Sequence, residues 1–152
     1  MKTELVQYER AHAYKILEKN VRDCDIWLTS YPGWEEAVEG WEKYGPAFTL
    51  IIDDEIVGCG GVTIIRSGIG EAWMLVSNNF YRYPKTAFKQ IRNSLDGIIR
   101  SWKLRRVQAF VFKGFEAGCH LLRHLGFENE TPDGVKGMGP NGEDMYLFGR
   151  VC

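Results

Sequence analysis

The chain has 152 residues, the size of one folded domain, and at 45% hydrophobic and 26% charged it has the balance of a globular protein, which excludes a fibrous or intrinsically disordered chain. Its 19 basic and 20 acidic side chains nearly cancel, so no overall field directs it to nucleic acid or to an anionic membrane surface. No apolar run nears the ~18 residues of a membrane span and the Met1-Lys2-Thr3-Glu4 start lacks the apolar core of a signal peptide, so a cytoplasmic setting is expected.

Leu5 to Glu9 reads as a short strand, and Ala11 to about Asn20 as a helix with Ile16 and Leu17 on one face. A second helix is expected from Asp25 to Ser30. Pro32-Gly33 breaks the chain, and Trp34 to Tyr44 places Trp34, Ala37, Val38 and Trp41 at helical spacing before Gly45-Pro46 ends it. Ala47 to Ile52 and Ile56 to Ile65, joined by Asp53-Asp54, form a β-hairpin rich in β-branched residues. Gly58, Gly60 and Gly61 inside its second arm point to a bulge or a close backbone approach. Glu71 to Ser77 is a strand apolar on both faces, with Ala72, Met74 and Val76 on one and Trp73 and Leu75 on the other, as a central strand requires.

From Thr86 to Trp102, Phe88, Ile91, Leu95, Ile98, Ile99 and Trp102 recur at helical spacing, with Lys89, Arg92, Asn93, Asp96 and Arg100 opposite them. Arg106 to Phe112 follows as a strand, then Glu116 to Leu125 as a helix closed by Gly126, with Phe127 opening the next extended segment. A last hairpin is expected from Gly134 to Met138 and Asp144 to Val151 around Pro140-Asn141-Gly142. Cys24, Cys59, Cys119 and Cys152 lie far apart, with no C-x-x-C pair and no histidine at metal-ligand spacing. They read as free thiols, and no metal site is expected.

Chemistry concentrates after residue 70. A carboxylate partly buried beside an aromatic, as Glu71 is beside Trp73, can have its proton affinity raised toward the work of a general base; the plainer alternative is a strand-end carboxylate facing solvent. Arg82-Tyr83-Pro84-Lys85-Thr86-Ala87 leads into a helix N-terminus, whose backbone N–H groups and dipole suit a pyrophosphate, although a basic loop without a ligand would look the same. His120 and His124 sit at i, i+4 on one helix, and either can titrate near neutral pH or be an ordinary surface residue. Trp27, Tyr31, Trp34 and Trp41 would line an acceptor pocket or, more simply, form core.

Taken in order, Gly70 to Ser77, the Arg82 to Ala87 loop, the amphipathic helix and the turn Leu125-Gly126-Phe127 resemble the GNAT superfamily of acyl-CoA N-acyltransferases. The resemblance implies a mixed α/β fold: one domain over residues 1–152, a strongly twisted sheet of six or seven strands, and helices on both faces. In it Glu71–Ser77 and Arg106–Phe112 are neighbouring parallel strands joined by the Thr86–Trp102 crossover. It further implies acetyl-CoA as cosubstrate and a primary amine of a small molecule or protein as acceptor. Glu71 would be the base. Leu75, Val76, Arg82, Lys85, Thr86 and Ala87 would hold the coenzyme, with backbone amides near Val76 polarising the thioester, and Trp27, Tyr31 and Trp34 would face the acceptor.

The chain departs from the family pattern at three places: Lys85 stands where the pyrophosphate loop has its first glycine, and Phe115 and Leu122 stand where the family often carries an asparagine and a tyrosine general acid. His120 is the replacement candidate for that acid. A second resemblance, to GNAT-like proteins of tailed bacteriophages, rests on Leu17-x-x-Asn20-x-Arg22-x-x-Asp25, Pro32 to Ala37, Gly68-x-Gly70-x-x-Trp73 and Leu125-Gly126-Phe127. It implies an alternative function as a phage structural or interaction protein with a non-catalytic coenzyme site, with virion components as partners and the host cytoplasm or virion as location. The discriminating geometry is whether Lys85 or an aromatic fills the cleft between the two parallel strands.

Overall fold

The hydrophobic periods of the sequence become four helices and seven strands among the residues, 1–19 and 32–152, that the computed structural model describes. In chain order these are β1 (Thr3–Gln7), α1 (Arg10–Lys19), α2 (Trp34–Lys43), β2 (Ala47–Ile52), β3 (Glu55–Arg66), β4 (Ile69–Val76), α3 (Pro84–Ser101), β5 (Arg106–Phe112), α4 (Glu116–His124), β6 (Glu128–Asn129) and β7 (Met145–Val151). The expected Asp25–Ser30 helix, the Asn20, Arg22 and Asp25 cluster, and Trp27 and Tyr31 lie outside the described residues.

All seven strands join one sheet in the order β1-β2-β3-β4-β5-β7-β6. Every neighbouring pair is antiparallel except β4 and β5, which run parallel through the α3 crossover. Asp53 and Asp54 both take positive φ, 49° and 66°, the conformation of the tight hairpin turns whose twist matches that of the strands they join. The β2–β3 register shifts where Leu50 faces Gly58 and Ile51 faces Ile56, the irregularity that the glycines of this arm predict.

Strand alternation gives each side of the sheet its own core. Val62, Val107, Ala109, Val111 and Phe148 point to one face and pack with Leu95, Ile98, Cys119 and Leu125 of the α3–α4 layer. Cys59 and Leu75 point to the other, under Ala13 and Ile16 of α1 and Val38 of α2. The α3–α4 layer is pinned to the sheet by Arg150 on β7, whose guanidinium donates to the Leu125 carbonyl and to Asp96, at 3.0 and 3.1 Å.

The last hairpin departs from its expected form. Met145–Val151 pairs along its whole length with β5 and briefly with Glu128–Asn129, while the Gly134–Met138 segment contributes only the isolated bridge Val135–Met145. Long-range pairing next to β5 buries Phe148 completely, which a two-stranded ribbon at the chain's end has no core to do.

Candidate active site

The site starts where two strands part company. β4 and β5 pair only at Ile69–Arg106, Gly70–Val107 and Glu71–Gln108, and then continue to Val76 and Phe112 without pairing to each other. A cavity of about 260 Å³ occupies the opening and runs beneath α3 and α4, with Met74, Val76, Val111, Phe112, Leu121 and Leu122 in its wall. The Ser77 N–H bonds the Val57 carbonyl of β3 at 3.0 Å. Backbone groups alternate sides along a strand, so the N–H groups of Val76 and Met74 point the other way, into the opening.

Ser77 also sets where β4 ends. Its fully buried hydroxyl lies 3.1 Å from both the Ile56 and Val57 carbonyls and accepts the Asn79 N–H at 3.2 Å, capping a 3-10 turn, Asn78–Arg82, that delivers the chain to α3. Pro84 begins α3, where its missing N–H is harmless, and the first-turn N–H groups of Lys85 and Thr86 lie ahead of any intrahelical acceptor. Ser77→Ala is expected to lose about 1–2 kcal/mol, the combined scale of a cap and a buried hydrogen bond, measurable as a lower urea midpoint with an unchanged m-value.

Glu71 sits at the fork itself. Its side chain shares a face with Trp73 and, across the last paired register, with Gln108. Burial raises the proton affinity of its carboxyl, the Gln108 side chain pulls in the opposite direction, and burial wins. A carboxyl so placed, half-buried and titrating above the usual range, suits a base that must take a proton at neutral pH.

The sequence candidates separate on this frame. Val76 lines the cavity, whereas the Leu75 side chain is buried under α1 and α2. Arg82 and Lys85 are exposed at the entrance to α3, Thr86 is half-buried, and Ala87 is fully buried against Leu50, Ile52 and Val57, making it a packing residue. Lys85 does not enter the cavity. Phe115 and Leu122 do, so the cavity wall at α4 is apolar. His120 is exposed, with its ring 4.2 Å from that of His124, and is not in that wall. Trp34 packs edge-on against Tyr14 in the α1–α2 core, and Trp41 stacks on Trp73 at 4.1 Å, so these aromatics support the roof over β4.

Gln108 and the amide of Met74 belong to this candidate site and were not found from the sequence; a polar residue between Val107 and Ala109 was the signal for the first. A separate polar cluster, in which the Thr49 hydroxyl lies 2.7 Å from His12 Nδ1 and touches Cys59, carries no comparable chemistry. Burial pushes the Cys59 thiol up to about 12 and lowers His12, so neither a thiolate nor an imidazolium is favoured there.

No protein-family model matches the sequence, and no curated relative does. Solved structures do. A chimera of the spermidine N-acetyltransferase SpeG from Vibrio cholerae and hSSAT superposes with a TM-score of 0.75 at 15% identity, over 99% of this chain and 96% of that one. A point mutant of SpeG from Vibrio cholerae gives 0.70 at 16% identity, over 98% and 93%. A GNAT-family acetyltransferase from Bacillus anthracis gives 0.70 at 16% identity, over 99% and 95%. The chain has the GNAT fold. At these identities the likeness speaks for the fold alone, and the chemistry has to be argued from the residues of the cleft.

Proposed function

We propose that the protein is an acetyl-CoA-dependent N-acetyltransferase acting on a primary amine of a small molecule or protein. The observation that carries this reading is the opened β4–β5 pair, which sets a half-buried carboxyl, Glu71, at the fork of an apolar slot into which the Val76 and Met74 amides point. The slot suits a pantetheine arm, and the N-terminus of α3 with Arg82, Lys85 and Thr86 suits its pyrophosphate. Bound there, acetyl-CoA would supply the acetyl group as an activated thioester.

The residues of the chain would do the rest. Glu71 takes the proton of the acceptor ammonium, leaving the amine lone pair free to attack. The Val76 N–H would donate to the thioester oxygen as charge collects on it, in a slot lined mainly by apolar side chains. Phe115 and Leu122 offer no proton to the departing sulfur, a modest loss because thiols ionise near pH 8.5 and leave readily as thiolates. Spermidine heads the acceptors to test because the similar structures are described as spermidine N-acetyltransferases. A cytoplasmic location accords with this reading, and among the described residues no helix is long and apolar enough to cross a membrane.

The alternative, a phage or prophage structural or interaction protein that keeps this scaffold with a degenerate coenzyme site, draws on Lys85, Phe115 and Leu122 replacing the family's glycine and polar positions. It requires a filled cleft. The exposed side chain of Lys85 and the remaining cavity favour the enzyme instead. Isothermal titration with acetyl-CoA tests the choice: saturable heat at micromolar to millimolar ligand is expected, and its absence with folded protein would overturn the proposal. Arg82→Ala should weaken that binding about tenfold, the scale of one charge-assisted contact, and leave saturated turnover nearly unchanged.

A further inference from the structure

The parallel register puts one side chain beside Glu71 on its own face, Gln108. A glutamine amide presents an acceptor at one end and donors at the other, and which end meets the carboxyl decides whether the ionised base is supported or repelled. Here the choice is made by Arg106, two residues back on the same face of β5. Its Nε donates to Gln108 Oε1 at 3.3 Å, and because a guanidinium can only donate, the amide nitrogen is left turned toward Glu71.

Arg106 is itself fixed. Glu130 accepts from both of its terminal nitrogens, at 2.9 and 2.5 Å, the two-pronged geometry that matches a guanidinium to a carboxylate. The Glu130 backbone is held by its N–H bond to Leu147 O at 2.9 Å. Its carboxylate lies over Gly149 of β7, where any Cβ would overlap it. The four side chains thus form one line across the sheet, from the chain just beyond β6 to the fork of β4 and β5.

We infer that Gln108 is a positioning residue for Glu71, and that Arg106 and Glu130 act through it by holding the amide with its N–H groups toward the carboxyl. The part of this that concerns catalysis rests on the acetyltransferase reading; the orientation does not. Around Glu71, β3 contributes Thr63 and β4 contributes Trp73, neither charged at neutral pH. Arg106 and Glu130 lie behind Gln108 and neutralise each other, so burial and the amide are the two influences on its proton affinity.

The test is a carboxyl carbon NMR titration of Glu71 in the intact protein, compared with Gln108→Leu and with the double variant Arg106→Met/Glu130→Gln, which removes the ion pair without leaving an unpaired charge, each checked for folding by thermal melting. Both variants are expected to move the Glu71 titration upward, the double variant doing so although it leaves Gln108 in place, because the freed amide can turn its oxygen to the carboxyl. With acetyl-CoA and spermidine, the acidic limb of kcat/KM should move with it, lowering activity on that limb about tenfold for each pH unit of movement. A folded variant of either kind whose Glu71 titration matches the wild type overturns the inference. If the titrations move as expected while the wild-type protein acetylates no amine, the positioning role stands and the acetyltransferase reading falls.

Discussion

Glu71→Gln is expected to lower kcat for amine acetylation by about 10²–10⁴-fold, the usual contribution of a positioned general base, with little change in coenzyme affinity. The deficit should shrink as pH approaches the pKa of the acceptor, about 10 for an alkyl amine, since a neutral amine has no proton to surrender. The same substitution should raise thermal stability. The folded-state pKa of Glu71 is higher than its unfolded value, so the native state binds its proton more tightly. Ionisation therefore disfavours the fold progressively as pH rises from the unfolded value through the folded one. A glutamine of nearly the same shape carries no such penalty. Stopped assays across pH and melting curves at pH 7 check both halves. Unchanged turnover with a cognate amine would remove Glu71 from the mechanism, and an unchanged or lower melting temperature would argue that its environment is not the desolvating one described above.

Phe148→Ala should destabilise the protein by about 3–5 kcal/mol, the range for emptying a large aromatic site in a well-packed core. Phe148 is fully buried at the centre of the α3–α4 core, edge-on to Tyr146 and with the Arg123 guanidinium 5.7 Å above its ring. It stands opposite Ala109 on β5, in the stretch where β5 has left β4 and pairs only with β7. Loss of this ring therefore loosens the far wall of the cleft as well as the core, and coenzyme affinity should fall with stability. Urea denaturation measures the first effect and calorimetry the second. A loss under about 1 kcal/mol would mean that the core collapses around the gap, contrary to close packing here.

Local periodicity made the α3 helix, the β2–β3 hairpin and the two-faced β4 strand legible, because each buries its own apolar residues at a spacing that one segment contains. The place of Met145–Val151 was not legible, since its partners lie more than 30 residues away on β5 and in a two-residue strand too short to leave a pattern. The site divides along the same line. Glu71 and the entrance to α3 could be named as candidates from residue type and order. Gln108 acquires its significance only from a parallel register, and Arg106 and Glu130 only from a glycine on a third strand that lets them meet. The aromatic residues show the converse: Trp34 and Trp41 have the composition of a binding pocket, yet edge-on packing against Tyr14 and stacking on Trp73 place their surfaces inside the roof.

The clamp made by Arg150 bears on how tightly such a cleft can bind. One guanidinium ties the end of α4, the middle of α3 and strand β7 to one another, so two helices and the strand beside β5 are cross-linked through a single side chain. A ligand entering between β4 and β5 would meet one wall braced by this cross-link, and bracing before binding lowers the entropy that complex formation has to remove. Bracing of this asymmetric kind leaves α1 and α2, on the opposite face of the sheet, outside the cross-link, so acceptor range could vary by changes there while α3 and the β4 and β5 edges that would hold the coenzyme stay the same.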